Sequence, residues 1–170
     1  MFEQINASPD HVSKDVSTTS FIVRTVRTAD VSSWRTLRRS LWPRTSESDH
    51  LREAEQLLGT PHRYAIVIAI SPEGEALGFA EAAIRRDYVN GCNTSPVLFL
   101  EGIYVVPSAR RHGIARALCA SIEEWGSLNS CAEFASDTAI ENLEAQALHQ
   151  ALGFHETERV VFFRRRALRT

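Results

Sequence analysis

Two arginines and a histidine stand directly before a glycine in PSARRHGIARAL, residues 107–118, and the glycine opens a stretch of helical periodicity. Cations at a helix N-terminus oppose the macrodipole unless an anion lies between them, so the arrangement asks for a phosphate. In the R-x-x-G-x-A pattern of Arg110, Gly113 and Ala115, small residues let backbone N–H groups come close to that phosphate. The Lys-Ser/Thr pair with which a P-loop holds a nucleoside triphosphate and magnesium is missing. Just upstream, Glu101 sits in the apolar run VLFLEGIYVV, where a charge without a task is costly.

The elements that must carry these residues can be read from periodicity and caps. FIVRTV at 21–26 is a short β-branched strand. Val31, Trp34, Leu37 and Leu41 recur at helical spacing after Asp30, a good N-cap, and Pro43 stops the pattern. SESDHLREAEQLLG predicts a second helix ended by Gly59, and RYAIVIAI, SPEG and ALGFAEAAIR predict a hairpin. Residues 86–96 form a loop, and VLFLEGIYVV is the strongest strand, with Gly102 marking a bulge or a close backbone approach. Ile114, Leu118, Ile122 and Trp125 mark a third helix after Gly113. CAEFAS as a strand, a helix from about Ala139 to Leu152 ended by Gly153, and ERVVFFRR as a last strand complete the chain. The fold class is α/β: a mixed, mostly antiparallel central sheet flanked by helices, with a flexible N-terminal tail at 1–20 and one domain at 21–170.

Composition narrows the function classes. A chain of 170 residues with 44% hydrophobic and 24% charged residues is long enough for one ordinary globular core, and no apolar run approaches the ~20 residues of a membrane span. A net charge of −2 speaks against nucleic acid as the main partner, and the basic RRRALRT end reads as protection of an edge strand. The polar start lacks an export signal, and Cys92, Cys119 and Cys131 have no metal-ligand spacing. A cytoplasmic location, small apolar roles for the cysteines and no metal are the expectations.

With the element order, the R-x-x-G-x-A turn after the longest strand and the N-x-x-x-x-A-L-x-x-x-x-GF run from Asn142 to Phe154, the chain resembles the GNAT superfamily of acetyl-CoA-dependent N-acetyltransferases. The stretches SLWP (40–43), GFAEAAIRRDYVNGC (78–92), FLEGIYVVPSARRHGIA (99–115), ASDTAIENLEAQALHQALGF (135–154) and ETERVVFFRRR (156–166) resemble its aminoglycoside 6'-N-acetyltransferases.

That resemblance implies acetyl-CoA as co-substrate and an aminoglycoside as acceptor, with a homodimer in which the VVFF strand is a shared or exchanged edge. Backbone groups of Ile103, Tyr104 and Val105 would hold the pantetheine arm. Arg110, Arg111, His112, Gly113, Ile114, Ala115 and Arg116 would wrap the pyrophosphate, and Asn142 would bond the cofactor, unless it is only a helix-surface residue. Substrate contacts fall on Trp42, Tyr88, Glu101, Asp137 and Glu158, of which Trp42 also reads as core and Glu158 as a solvated residue. Asp137 is the first choice for accepting the ammonium proton and Glu101 the second, in direct transfer within a ternary complex, with a backbone N–H near Val105 for the oxyanion. His149 stands where many relatives carry the tyrosine that protonates the leaving thiolate; His149, water or Tyr104 are the options, and a core histidine is the competing reading. No cysteine has a base beside it for a covalent intermediate. The alternatives are a GNAT enzyme for another amine (a polyamine, a small metabolite or a protein N-terminus) and a non-catalytic acyl-CoA-binding or RNA-contacting module.

Overall fold

The computed structural model describes residues 20–166, so most of the expected N-terminal tail lies outside the described residues. Five strands form one sheet in the order β1-β2-β3-β4-β5: β1 Ile22–Thr25, β2 Tyr64–Ile70, β3 Ala76–Arg85, β4 Val97–Val105 and β5 Glu133–Ser136. Pairing is antiparallel as far as β4, and β4 with β5 is parallel. A parallel pair needs a long crossover, which the helix α3, Ile114–Leu128, supplies.

Helices cover both faces, which is why β2 and β3 read as nearly continuous apolar runs instead of alternating ones. On one face α1, Val31–Leu41, and α2, Glu47–Gly59, pack Trp34, Leu37 and Ala54 against Ile66, Ile68 and Phe79. On the other, the α3 stripe of Ile114, Leu118 and Ile122 packs on Val67, Ala80, Ala82, Leu98 and Leu100. The Gly126 of α3 has Leu98 so close that a Cβ would lie 2.6 Å from its Cδ2, so a glycine lets the helix settle on β4. The last helix, α4, spans Leu143–Leu152 and ends at Gly153 in the left-handed region, φ 98°.

Several expectations change. Asp30 precedes α1 but does not cap it: its carboxylate accepts the Arg27 N–H at 2.7 Å and a bond from Arg24 at 2.9 Å, holding a 3-10 turn over Thr28–Asp30. The Arg24 guanidinium lowers the Asp30 carboxyl below its usual range. Ser46 does cap α2, accepting from the Asp49 N–H at 3.1 Å, whereas Gly59 is the last helical residue and Thr60 the cap. The fourth helix begins at Leu143, not near Ala139, because the Asn142 side chain accepts the Ala145 N–H at 3.0 Å and fixes the start there.

The largest correction concerns ERVVFFRR. Within the described residues this segment forms no strand, and Phe162 and Phe163 are 87% and 93% exposed. A strand needs a paired neighbour, and among the described residues the segment pairs with neither edge of the sheet.

Candidate active site

β4 and β5 pair only over Val97–Leu100 and Glu133–Ser136, so Leu100 opposite Ser136 is their last rung. Beyond it β5 ends, while β4 stays paired to β3 as far as Val105. The Val106 N–H bonds the Leu77 carbonyl on β3 at 2.9 Å; alternation along β4 then turns the N–H and C=O of Val105 and Ile103 towards the open edge. That edge can accept an extended ligand as an added strand. Tyr104, between them, faces the α1 side.

A bulge controls the orientation of everything around the end of that pairing. Glu81 pairs with Gly102 and Ala82 with Leu100, so Glu101 is an extra residue on β4. The insertion keeps Leu98, Leu100, Ile103 and Val105 all on the α3 face and leaves Glu101 exposed. Gly102 lies at this bulge, as expected, and a side chain comes close to it: a Cβ there would lie 2.5 Å from Trp42 Cζ2 and 3.0 Å from Leu41 Cδ2.

Two carboxylates flank the mouth. Glu101 accepts a two-pronged ion pair from Arg85, with Nη2 at 2.9 and 3.0 Å, and that guanidinium lies on the Phe99 ring, 3.3 Å from its centroid. Asp137 follows Ser136 directly, one step past the last rung, and is exposed. Glu101 and Asp137 are thus the residues that directly follow the two members of that last rung, one at the bulge of β4 and one just past the end of β5. Trp42 caps the C-terminus of α1, its N–H on the Arg38 carbonyl at 2.8 Å, and sets its ring edge-on to Phe79 at 6.0 Å and over Gly102.

The cationic turn lies at the other end of the open edge. Gly113 takes φ 82° and, having no side chain to cap with, leaves the first N–H groups of α3 for an external acceptor. Arg111 also lies in the left-handed region, φ 69°, a strained position for a residue with a Cβ. His112 is exposed and Ala115 half-buried beside the buried Ile114. Arg110 spans the mouth: its Nε donates to the Val105 carbonyl at 3.1 Å and its Nη1 to Glu144 at 2.8 Å, while Arg116 reaches the Ala151 carbonyl at 3.0 Å. A diphosphate fits this donor set of cationic side chains and free helix N–H groups. Asn142 spends its side-chain oxygen on capping α4.

The remaining candidates stand apart or are engaged. Tyr88, on the β3–β4 loop, is 75% exposed, and Glu158 receives the Asn90 side-chain N–H at 3.1 Å from the same loop. His149 has both ring nitrogens in use, Nδ1 at 2.7 Å from the Ala145 carbonyl and Nε2 at 2.9 Å from Ser136 Oγ, so neither is left to face a thiolate. All three cysteines are free, and burial pushes the Cys119 thiol up to about 12, far from a nucleophilic thiolate.

Sequence reasoning passed over Glu81 and Arg38. Glu81 is 2% exposed and accepts the Trp34 indole N–H at 2.8 Å and Arg38 Nη1 at 3.1 and 3.0 Å. Burial pushes its carboxyl up to about 7 despite those two donors. The available signal was a lone carboxylate inside ALGFAEAAIR, the same signal that singled out Glu101.

Residues 31–154 match the acetyltransferase (GNAT) family. An aminoglycoside N(6')-acetyltransferase type 1 of Salmonella typhimurium is 49% identical over 144 residues, 85% of this chain and 98% of the relative. One from Serratia marcescens is 51% identical over 136 residues, 80% of this chain and 92% of the relative. Among solved structures, AAC(6')-Iy in complex with the bisubstrate analogue CoA-S-monomethyl-acetylneamine superposes with TM-score 0.83 at 47% identity, covering 87% of this chain and 99% of the other. The AAC(6')-Ih of Acinetobacter baumannii also gives 0.83, at 44% identity over 87% of this chain and 99% of the other.

Proposed function

The chain belongs to the acetyltransferase (GNAT) family, and from that premise we propose that it transfers the acetyl group of acetyl-CoA to the 6'-amino group of aminoglycoside antibiotics, which would confer resistance to them. The observation that carries this reading is the end of β4–β5 pairing at Leu100 and Ser136, which leaves the rest of β4 with a free edge, Glu101 and Asp137 directly after that rung and the Arg110–Arg116 turn past the end of β4. Anion-binding groups and carboxylates are thereby separated along one open strand edge, as a transfer from a phosphate-bearing donor to a cationic acceptor requires.

Acetyl-CoA supplies a thioester as the electrophile. The turn from Arg110 to Arg116 holds its diphosphate, with the N–H groups at the start of α3 as donors, and the exposed backbone of Ile103 and Val105 lies along its pantetheine arm. Arg110 leaves Glu144 to reach the phosphates. The Val105 N–H faces the open edge and donates to the carbonyl oxygen as negative charge gathers there. Asp137 accepts the proton of the acceptor ammonium, directly or through water, and Glu101, Glu158 and the face of Trp42 hold the polycation. A carboxylate is a weak base toward an ammonium, so binding that favours the neutral-amine fraction carries part of the step. Direct transfer in a ternary complex fits the cysteine nearest the site, since Cys92, packed by Phe99 and Ala135, has its thiol raised above the usual range by burial and by Glu133 and so is no ready nucleophile. With both His149 nitrogens engaged, the proton for the leaving thiolate falls to Tyr104 or water.

We also propose a homodimer. Val160, Val161, Phe162 and Phe163 are exposed in one run, and β5 presents an unpaired outer edge among the described residues. A second copy can satisfy both and bring a Tyr88 loop towards its partner's site.

Thiol release from acetyl-CoA, followed with kanamycin, spermidine and a short peptide in parallel, tests the reading. Release driven by kanamycin alone is expected. A protein that binds acetyl-CoA and turns over spermidine or the peptide in preference keeps the family and loses the acceptor.

A further inference from the structure

Arg38 and Glu81 have no part in the transfer just described, yet theirs is the most deeply buried ion pair among the described residues. Arg38 Nη1 meets both Glu81 oxygens, and its Nη2 reaches Glu53 at the surface at 2.7 Å. Burying such a pair forfeits hydration that a hydrophobic pair of the same volume never had, so fold stability alone does not account for it.

Its surroundings do. The Arg38 guanidinium lies 4.8 Å from the Trp42 ring centroid and 5.5 Å from that of Trp34, within cation–π reach of both indoles. Trp34 in turn donates its indole N–H to Glu81, which closes the cluster. On the far side the Trp42 ring rests on Gly102, the cross-strand neighbour of Glu81 at the bulge that turns Glu101 outward. From α2, the buried His50 completes the hold with its Nε2 on the Trp42 carbonyl at 3.3 Å. One ion pair thus touches the aromatic wall directly and, through the Trp42 ring and the Glu81–Gly102 pairing, the bulge next to the carboxylate assigned above to the acceptor.

We infer that Arg38 and Glu81 are positioning residues for the acceptor: their ion pair fixes the plane of Trp42 and the bulge carrying Glu101, and so sets how tightly the polycation, and not acetyl-CoA, is held. Glu81 and Glu53 also balance the Arg38 charge, which would otherwise repel a cationic ligand arriving over Trp42. The inference rests on the aminoglycoside reading for its substrate and on Trp42 for its mechanism.

The decisive variant removes both charges at once, Arg38→Met with Glu81→Leu, since apolar replacement of a buried pair commonly preserves stability. The melting temperature and the KM for acetyl-CoA are expected to stay near the wild-type values while the KM for kanamycin rises about tenfold, the scale of one desolvated cation–π contact. In a Trp42→Ala background the same double substitution should add less than about twofold, because the element it positions is gone. An unchanged kanamycin KM, an equal rise for acetyl-CoA, or full multiplication of the two effects overturns the inference. If the double variant does not fold, the near-isosteric Glu81→Gln is held to the same selective rise. Should the wild type bind acetyl-CoA but leave kanamycin untouched, the acceptor reading fails by itself. Fluorine NMR of 5-fluorotryptophan-labelled protein then decides the inference: a Trp42 resonance unmoved by the double substitution overturns it, and a shifted or broadened one supports it.

Discussion

His149 lies with Nε2 2.9 Å from Ser136 Oγ and Nδ1 2.7 Å from the Ala145 carbonyl. A carbonyl only accepts, so Nδ1 donates to Ala145, while the Ser136 hydroxyl spends its one proton on the Leu100 carbonyl at 3.1 Å and turns its oxygen to Nε2. The histidine thereby ties α4 to the last rung between β4 and β5. His149→Gln should therefore cost about 1 kcal/mol of stability and lower kcat by less than about tenfold. A loss of about a hundredfold in kcat with an unchanged melting temperature would return the thiolate's proton to His149.

Glu81 makes stability depend on pH in a direction that can be assigned. Burial raises its folded carboxyl from the ordinary 4.5 to about 7, so the folded state holds the proton more tightly than the unfolded chain does. The contribution is complete below pH 4.5 and is lost as pH rises through about 7, a change of about 3 kcal/mol over that window. Chemical denaturation of wild type and Glu81→Gln at pH 5 and pH 8 isolates it. The lowered carboxyls of Asp30, Asp49, Glu133 and Glu156 act in both proteins and cancel. The stability of wild type relative to the variant should fall between the two pH values; a constant difference contradicts the assignment.

Much of the architecture was legible because each element carries its own punctuation. Ser46 starts α2, SPEG turns β2 into β3, and Gly113 opens α3 where the apolar stripe begins. The cationic turn before α3 is local in sequence and was legible on that account. What escaped depends on partners far along the chain. Glu81 and Glu101 look alike as single carboxylates in apolar strands, yet Arg38, 43 positions away, takes the first into the core, while the bulge leaves the second outside. The Trp42 ring over Gly102 joins residues from different elements in the same way. The VVFF run has the composition of a strand, but no edge within its own chain receives it.

Arg111 stores strain at the phosphate turn. Its φ of 69° costs a residue with a Cβ about 1 kcal/mol, which glycine would relieve, while glycine adds unfolded-state entropy of similar size. Arg111→Gly should then shift stability by no more than about 0.5 kcal/mol and raise the dissociation constant for CoA about tenfold. Calorimetric titration with CoA checks this, and unchanged affinity would remove Arg111 from the cofactor site.

The exposed Phe162 and Phe163 provide a test of assembly. Burial of each ring in a partner contributes about 1.5–3 kcal/mol, enough that replacing both by serine dissociates a modest dimer. Sedimentation equilibrium should give a wild-type dimer and a monomeric Phe162→Ser, Phe163→Ser variant. A monomeric wild type, or a variant that remains dimeric, would dismiss this segment as the interface.

The central claim is the identity of the acceptor nitrogen. Initial rates of thiol release should be compared for two aminoglycosides that differ only in carrying an amine or a hydroxyl at the 6' position, with the product of the first located by NMR. Turnover of the amine compound alone is expected, with the new amide at the 6' nitrogen. Turnover of both compounds, or an acetyl group on any other amine, would contradict it.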